Sequence, residues 1–226
     1  MTEQSVKEAR PALSAPGKTE FWDAKILGWE ASRYSLLSRC NPFSWTVRRR
    51  MSAARRLVRE DFKRHQYVLD LGCGSGLLAQ AVLDAPVRRY KGIDFSTVAV
   101  EAALARFPGL SGRVRFGRMD VLDGPGWEAP LIVFLGLLDW LDEKEAALLF
   151  GKLKAENLIF SFTDADSGLA GRLYRQYRRC ADKAYTARNF PKSRIADLAG
   201  SNGYRVDSMT RFSYLDPGRL VTASKK

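Results

Sequence analysis

Short apolar runs alternate with helical patterns through the middle of the chain. The runs are bounded by Gly or Asp and cover residues 67–71, 89–93, 114–118, 131–135 and 158–162. Between most of them, apolar positions recur every three or four residues, which predicts helices at about 77–85, 98–107 and 143–153. Strands that alternate with helices indicate right-handed crossovers and a parallel sheet covered by helices on both faces.

The flanking regions are predicted to be mostly helical. Residues 21–35 predict one helix, and a second runs from Pro42 to about Lys63 with an apolar stripe and an arginine-rich surface. After the fifth strand, the pattern predicts a basic helical insert at 169–185, a helix at 189–199, a strand at 204–209, and a last strand at 212–214 or 220–223. We therefore predict an α/β fold with a doubly wound sheet of about seven mostly parallel strands, N-terminal helices and a helical insert after the fifth strand.

Composition narrows the class of protein. Hydrophobic residues make up 46% and charged residues 27% of 226 residues, which is typical of one globular domain. No segment approaches the roughly 18 uninterrupted apolar residues that span a bilayer, and the first residues do not resemble a secretory signal. Three widely spaced cysteines and a single histidine, His65, favour a reducing cytoplasm and predict neither disulfides nor a metal site.

The net charge of +12 is concentrated in two segments. Residues 33–64 carry a surplus of +8 and residues 172–192 a surplus of +6, so the rest of the chain is slightly negative. Such basic segments predict a negatively charged partner, which could be a phosphate group, an anionic membrane surface or a nucleic acid.

The first predicted strand runs directly into a glycine-rich loop, Gly72-Cys73-Gly74-Ser75-Gly76. Glycine has no Cβ, so this backbone can turn sharply and approach a ligand closely. In a doubly wound sheet, such a loop lies at the carboxyl ends of the strands, where ligands bind. A dinucleotide-binding loop has the spacing G-x-G-x-x-G, whereas position 77 here is Leu, so the loop fits pyrophosphate poorly.

An acidic residue follows the second predicted strand, in the segment Gly92-Ile93-Asp94-Phe95-Ser96. Asp94 comes 24 residues after Asp70, close to the spacing at which an acid accepts hydrogen bonds from ribose hydroxyls. The alternative is that Asp94 caps the next helix, but Ser96 is in place for that role. We therefore predict that Asp94 binds a ribose.

These motifs resemble those of class I, Rossmann-like S-adenosylmethionine (SAM)-dependent methyltransferases of the small-molecule type. The resemblance covers about residues 65–163 and rests on Val68–Gly76, Gly92–Ser96, and Asp120 with Val121 after the third strand. It implies S-adenosyl-L-methionine as the cofactor. The residues implied to bind this cofactor are Asp70, Gly72, Cys73, Gly74, Gly76, Asp94, Phe95, Asp120, Val121 and Leu135.

The resemblance also implies individual roles within the cofactor site. The glycine loop would pass under the methionine and adenosine portions of SAM, and Asp94 would hold the ribose. Asp120 would meet the adenine amino group, with Val121 beside the ring.

The segment after the fourth strand bears on the acceptor. It reads Leu135-Gly136-Leu137-Leu138-Asp139-Trp140 and lacks the Asn/Asp-Pro-Pro-aromatic loop with which methyltransferases of DNA, RNA and glutamine grip a planar nitrogen. Trp140 either faces the acceptor or packs in the core. In-line methyl transfer depends mainly on alignment, and a general base is needed only if the acceptor must lose a proton. Asp139, Tyr174 and Tyr177 are the candidate catalytic residues, with packing or capping as the alternative for each.

The resemblance suggests a division of the chain. We expect residues 1–18 to be mobile and residues 19–226 to form a single methyltransferase domain. Its parts would be a helical lid at 19–64, a cofactor-binding core at 65–163, a helical insert at 164–188, and a C-terminal helix and strands at 189–226. In this family the N-terminal helix commonly covers the site, which Trp22, Trp29 and Tyr34 would then close.

Three functions fit these observations. The first is methylation of a small anionic or amphiphilic acceptor, including a lipid-linked one, at an anionic membrane surface contacted by residues 33–64 and 172–192. The second is an RNA methyltransferase, which the net charge favours. The third is a non-catalytic, cofactor-binding partner protein. The first predicts a cytoplasmic enzyme that is peripheral on the inner face of a membrane; the oligomeric state stays open.

Overall fold

The computed structural model describes residues 18–34, 42–61, 66–83, 89–110, 112–168, 171–172, 176, 188–212 and 216–226. The helices are α1 (Lys18–Tyr34), α2 (Pro42–Arg56), α3 (Ala79–Leu83), α4 (Thr97–Arg106), α5 (Glu143–Lys152) and α6 (Lys192–Ser201). The strands are β1 (Tyr67–Leu71), β2 (Arg89–Asp94), β3 (Val114–Arg118), β4 (Trp127–Glu128), β5 (Leu131–Phe134), β6 (Leu153–Lys154), β7 (Asn157–Thr163), β8 (Tyr204–Arg211) and β9 (Gly218–Lys225). A π-helical turn, Leu57–Asp61, continues α2, and a 3₁₀ turn, Leu138–Trp140, follows β5.

Seven strands form one sheet in the order β3-β2-β1-β5-β7-β9-β8. The first five of these are parallel to their neighbours, while β9 lies antiparallel between β7 and β8. This confirms the predicted doubly wound, mostly parallel sheet. Because the chain runs outward from β1 in one direction and from β5 in the other, the switch point lies between β1 and β5. Ligands bind outside the carboxyl ends of the strands at such a point.

The sheet is buried on both faces, as its continuous apolar runs predict. All four residues of β5 are buried, with Ile132 and Phe134 packing into one apolar cluster and Leu131 and Val133 into another on the opposite face. Helix α2 contributes Ala54 to the second cluster. The core therefore fixes the strand ends that carry the site.

Some element boundaries differ from the predicted ones. Helix α3 starts at Ala79 because residues 74–78, which include the end of the glycine loop, form turns. Helix α6 starts at Lys192 because Phe190 forms a bridge with Asp164 and Pro191 caps the helix. The last strand is β9, and the candidate at 212–214 is not that strand: residue 212 lies outside both β8 and β9, and 213–214 are not described.

The strands β4 and β6 have two residues each and pair with each other. They were not predicted, because two residues are too few to show the alternation of apolar and polar positions that indicates a strand. Most of the predicted mobile terminus and most of the predicted insert at 169–185 lie outside the described residues, although α1 already begins at Lys18. Among the residues that are described, no helix is long and apolar enough to cross a membrane.

Candidate active site

A cavity of about 210 Å³ lies at the carboxyl ends of the central strands, under α1 and α2. A single water needs only about 10–15 Å³ of such space, so this cavity is large enough for an organic ligand. Its walls come from α1, α2, the loops after β1, β2, β3 and β5, the end of β7 and the start of β9.

The glycine loop forms one wall of the cavity. Gly72 and Gly74 have φ values of +72° and +53°, in the left-handed region that favours glycine. The backbone N–H of Gly72 donates to the Ile93 carbonyl at 2.8 Å, which ties the loop to the end of β2. Both glycines line the cavity, whereas Gly76 does not. A Cβ on Gly76 would lie 2.8 Å from the Phe116 ring, so this glycine permits close packing instead.

Asp94 is buried at the end of β2 and lines the same cavity. Its Oδ2 accepts a hydrogen bond from the N–H of Gly74 and its Oδ1 one from the N–H of Ser96, both at 2.9 Å. Burial raises the pKa of Asp94, and these two bonds oppose that rise. An ionised carboxylate can accept about four hydrogen bonds, so Asp94 keeps capacity for the two hydroxyls of a ribose.

The residues after β3 and β5 complete this wall. Asp120, Val121 and Leu135 all line the cavity, as does Phe95. The Asp120 Oδ1 accepts from the N–H of Leu122 at 2.9 Å, which fixes the carboxylate at the loop after β3. We call Gly72, Gly74, Asp94, Phe95, Asp120 and Val121 the glycine-loop side of the cavity. Their polar and apolar groups fit the ribose and ring of an adenosine.

Asp70 and Cys73 lie beneath this side. The Tyr90 hydroxyl donates to Asp70 Oδ2 at 2.5 Å. Burial raises the pKa of Asp70 to about 7, against the lowering effect of this hydrogen bond. Burial likewise raises the pKa of the Cys73 thiol, which donates weakly to the Gly74 carbonyl. Both residues line the cavity, as the cofactor prediction requires.

Aromatic side chains of α1 cover the cavity. Trp22 lies edge-on to Trp140 with ring centroids 4.5 Å apart, and Trp29 lies 5.5 Å from both. Trp22 also reaches Phe95 at 6.5 Å. All of these rings line the cavity, together with Tyr34. Trp140 therefore faces the cavity, and the residues predicted to close the site lie over it.

A second set of polar residues lines the cavity around Asp139. The N–H of Thr163 donates to Asp139 Oδ1 at 2.8 Å. Asp216 is buried, and its Oδ1 accepts a hydrogen bond from the N–H of Gly218 at 2.9 Å. Arg50 is also close to Gly218: a Cβ on this glycine would lie 3.4 Å from a guanidinium nitrogen of Arg50. We call Arg50, Asp139, Thr163 and Asp216 the Asp139 side of the cavity.

The protonation of Asp139 depends on this set. Burial raises the pKa of Asp139 to about 6, although the positive charge of Arg50 and the hydrogen bonds from Thr163 lower it. The negative charge of Asp216 adds to the rise. At neutral pH the carboxylate is ionised and can accept a proton. Tyr174 and Tyr177, the other catalytic candidates, lie outside the described residues.

Sequence reasoning missed Glu30, Arg50, Thr163 and Asp216 as cavity residues. Arg50 lies within a run of three arginines, and only the phase of α2 distinguishes the inward one from its neighbours. Thr163 ends the last parallel strand, and the carboxyl ends of such strands carry ligand-binding residues, so this signal was available. Nothing local in the sequence distinguishes Glu30 or Asp216.

Strand order, glycine loop, buried Asp94 and covered cavity together match the fold and cofactor site of class I, Rossmann-like methyltransferases, whose cofactor is S-adenosyl-L-methionine. The comparisons with known proteins agree. Residues 69–155 match the family model described as a methyltransferase domain, and solved structures of SAM-dependent methyltransferases share the fold of the chain. No curated protein matches the chain in sequence.

Several solved structures share the fold. The magnesium protoporphyrin IX methyltransferase of Synechocystis PCC 6803 with bound SAH has a TM-score of 0.72 at 16% identity, over 92% of this chain and 98% of that one. Human N-acetylserotonin methyltransferase in complex with SAM has a TM-score of 0.64 at 18% identity, over 94% and 61%. The mitomycin 7-O-methyltransferase MmcR has a TM-score of 0.61 at 16% identity, over 95% and 70%.

Proposed function

We propose that this methyltransferase acts on a small acceptor with an apolar body and a negatively charged group. The observation that carries the proposal is the composition of the cavity wall formed by α1 and α2. Arg33 and Arg50 contribute guanidinium groups, while Trp29, Val47 and Met51 contribute apolar surface. Guanidinium groups pair with carboxylate or phosphate, and the apolar surface suits the rest of an amphiphilic molecule.

The cover over the cavity supports a small acceptor. Helix α1 is held to the core through Asp23, whose Oδ1 accepts from the Ser96 hydroxyl at 2.5 Å, and through the contacts of Trp22 with Trp140 and Phe95. A folded macromolecule would have to displace this helix to reach the cavity.

The mechanism needs few groups from the protein. When bound, SAM would supply an activated methyl group, and the thioether S-adenosylhomocysteine would be the leaving group. Asp94 and the glycine loop would bind its adenosine portion, and Arg50 would orient the charged group of the acceptor. The Asp139 carboxylate would take the proton if the reacting atom belongs to a hydroxyl or an amine. Alignment of the reactants supplies much of the acceleration.

Labelled SAM can identify the acceptor. We would incubate the purified protein with methyl-labelled SAM and a metabolite extract, then separate the product by solvent partition and identify it by mass spectrometry. The proposal predicts a labelled small molecule that is acidic or amphiphilic. Label found only in RNA or protein would contradict it, and an absence of SAM binding would point to a non-catalytic partner.

The exposed face of α2 supports action at an anionic membrane surface. Trp45, Arg49, Ser52 and Arg56 are exposed at helical spacing, which puts a tryptophan among basic residues. Other arginines of this helix turn inward: Arg55 donates to the Leu77 carbonyl at 2.7 Å. The membrane proposal therefore depends on the exposed face of α2 and on the basic segment 172–192, most of which lies outside the described residues.

Vesicle flotation tests this face. We expect a double variant, Arg49→Gln with Arg56→Gln, to bind vesicles of anionic phospholipid roughly 30-fold more weakly than the parent, because electrostatic attraction adds about 1 kcal/mol per basic residue. Lys144→Gln with Lys154→Gln is the matched control, since both lysines are exposed on other elements. If the parent does not float, or instead binds RNA with a steep salt dependence, the membrane proposal fails.

A further inference from the structure

Glu30 joins helix α1 to the glycine loop. Its Oε1 accepts from the backbone N–H of Ser75 at 3.0 Å, and its Oε2 accepts from the Ser75 hydroxyl. Arg106 donates to the Ser75 carbonyl at 3.1 Å and to the Ser75 hydroxyl oxygen at 3.0 Å. Because Arg106 donates to the hydroxyl oxygen, the hydroxyl proton is directed towards Glu30. The Glu30 carboxylate is thus held against the loop.

The glycine at position 74 makes this approach possible. A Cβ on Gly74 would lie 2.5 Å from Glu30 Oε1, closer than real Cβ contacts come. Glu30 also lines the cavity next to Gly72 and Gly74. A carboxylate carried by α1 therefore lies at the loop that is expected to pass under the methionine and adenosine portions of SAM.

The charge of Glu30 reaches the surrounding groups. Burial raises the pKa of Asp94, and the negative charge of Glu30 adds to this rise. Burial also raises the pKa of Cys73, with further contributions from Asp70, Asp94 and Glu30. Glu30, Asp70 and Asp94 thus place three carboxyl groups around the glycine loop.

Three arginines lie at or near the cavity. The Arg33 guanidinium lies over the Trp29 ring at 3.4 Å, and Arg50 is on the Asp139 side. Arg106 contacts Ser75 but is not part of the cavity lining. Of the two opposite charges that contact Ser75, Glu30 and Arg106, Glu30 is the one that lines the cavity, a partly enclosed space where charges interact more strongly than in water.

Methyl transfer changes the charge of the cofactor. SAM carries a sulfonium, an ammonium and a carboxylate, and so has a net positive charge at neutral pH, whereas the product S-adenosylhomocysteine (SAH) has lost the sulfonium charge and is neutral. We propose that Glu30 is a specificity-determining residue that makes the donor site prefer cationic SAM over neutral SAH. The loss of charge would then favour release of the product. This inference rests on the cofactor and does not depend on the identity of the acceptor.

Binding affinities for the two cofactor forms test the proposal. We expect Glu30→Gln to weaken SAM binding about tenfold, and to change SAH binding less than about threefold, because a carboxylate interacts with a nearby cation far more strongly than with a neutral thioether. Glutamine keeps an acceptor for the Ser75 N–H and removes the charge. Titration calorimetry measures both dissociation constants without any acceptor, and circular dichroism checks folding.

Two further variants separate charge from attachment of the helix. Asp23→Asn removes a charge from the same helix and also alters a contact with the core, at Ser96, but Asp23 does not line the cavity. We expect it to leave the ratio of SAM to SAH affinity as in the parent. Glu30→Asp keeps the charge and should keep the preference. Equal weakening of both ligands by Glu30→Gln, or a change in the ratio with Asp23→Asn as large as that with Glu30→Gln, would overturn the proposal.

Discussion

The glycine-loop side of the cavity is made from segments that directly follow β1, β2 and β3, whereas the Asp139 side is assembled from four separate elements. Arg50 comes from α2, Asp139 from the turn after β5, Thr163 from the end of β7 and Asp216 from the loop before β9. On the first side, backbone N–H groups and glycine conformations shape the site. On the second side, charged side chains meet across the tertiary structure.

The two sides of the cavity therefore differ in origin: the position of one follows from the topology of the fold, and the position of the other depends on how individual elements pack. Loops at the carboxyl ends of parallel strands meet at the switch point in any doubly wound sheet, so the glycine-loop side follows from the topology. The set around Asp139 depends on how α2 packs against β9 and on the pairing of β9 with β7 in the sheet. We therefore expect substitutions on the two sides to affect different steps, cofactor binding on one and acceptor chemistry on the other.

The largest effect is expected for Asp139→Asn. Loss of a general base costs about 100-fold or more in kcat, while the affinity for SAM should stay unchanged. In the parent, kcat should fall as the pH drops below about 6, because burial raises the pKa of Asp139 to about 6 and the base must be ionised. Initial rates with the identified acceptor and calorimetry with SAM measure the two quantities.

Stability distinguishes this role from a structural one. The pKa of Asp139 is raised from 3.8 to about 6, so its contribution to stability is present below about pH 4 and is lost as the pH rises through 6. Asparagine keeps an oxygen for the Thr163 N–H and carries no charge. The variant should therefore be at least as stable as the parent at pH 8 in thermal unfolding. A destabilised variant with normal kcat would place Asp139 among the structural residues.

The next effect is expected on the glycine-loop side, with Asp94→Ala. This change removes the predicted ribose acceptor and leaves the N–H groups of Gly74 and Ser96 without their partner. We expect the dissociation constant for SAM to rise at least about tenfold, since hydrogen bonds to a charged group contribute about 1.5–3 kcal/mol. Asp123→Ala is the control, because Asp123 is exposed and does not line the cavity. Unchanged affinity in Asp94→Ala would remove the ribose assignment.

The extent to which the sequence predicts the site follows the same division. Gly72, Gly74 and Asp94 were predicted because each follows an apolar run at a known spacing, Asp120 was implied by the family resemblance, and all four line the cavity. Asp139 was a candidate only through its place after the fourth parallel strand. The sequence pattern did not predict the other residues on the Asp139 side. A helical period shows which residues share a face of the helix, but it does not show which face meets the cavity.

The fold was predicted more fully than the site. Long apolar runs such as 131–135 predicted buried strands, and their alternation with helices predicted the parallel order. The antiparallel place of β9 between β7 and β8 was not predicted, since strand order at a sheet edge is decided by tertiary packing. The pair β4 and β6 is too short for a pattern.

A smaller effect is expected from Arg50→Gln, which tests whether the Asp139 side recognises charge. The acceptor KM should rise about tenfold if Arg50 binds an anionic group, since such charged hydrogen bonds contribute about 1.5–3 kcal/mol. Arg50 also lowers the pKa of Asp139, so its removal should shift the acidic limb of the kcat profile to higher pH. Arg49→Gln changes the same charge on the exposed face of α2 and should do neither.

The smallest effect on ligand binding is expected for Gly76→Ala. This variant tests whether the glycines of the loop have different roles. Gly76 has a φ of +73°, and a Cβ there would lie 2.8 Å from Phe116 and 3.2 Å from Phe107. Strain and overpacking together should lower the free energy of unfolding by about 2–4 kcal/mol. The dissociation constant for SAM should change less than about twofold, because Gly76 does not line the cavity. The backbone strain and the overpacking would affect the packing around Phe116 and not the ligand.

Gly74→Ala provides the contrast within the same loop. Its φ of +53° is strained for alanine, and its Cβ would meet the Glu30 carboxylate, which lies in the cavity. This variant should lose both stability and SAM affinity. Chemical denaturation and calorimetry on the two variants compare these quantities directly. If Gly76→Ala weakens SAM as much as Gly74→Ala does, then the loop acts as one rigid unit, and the distinction between a packing glycine and a lining glycine fails.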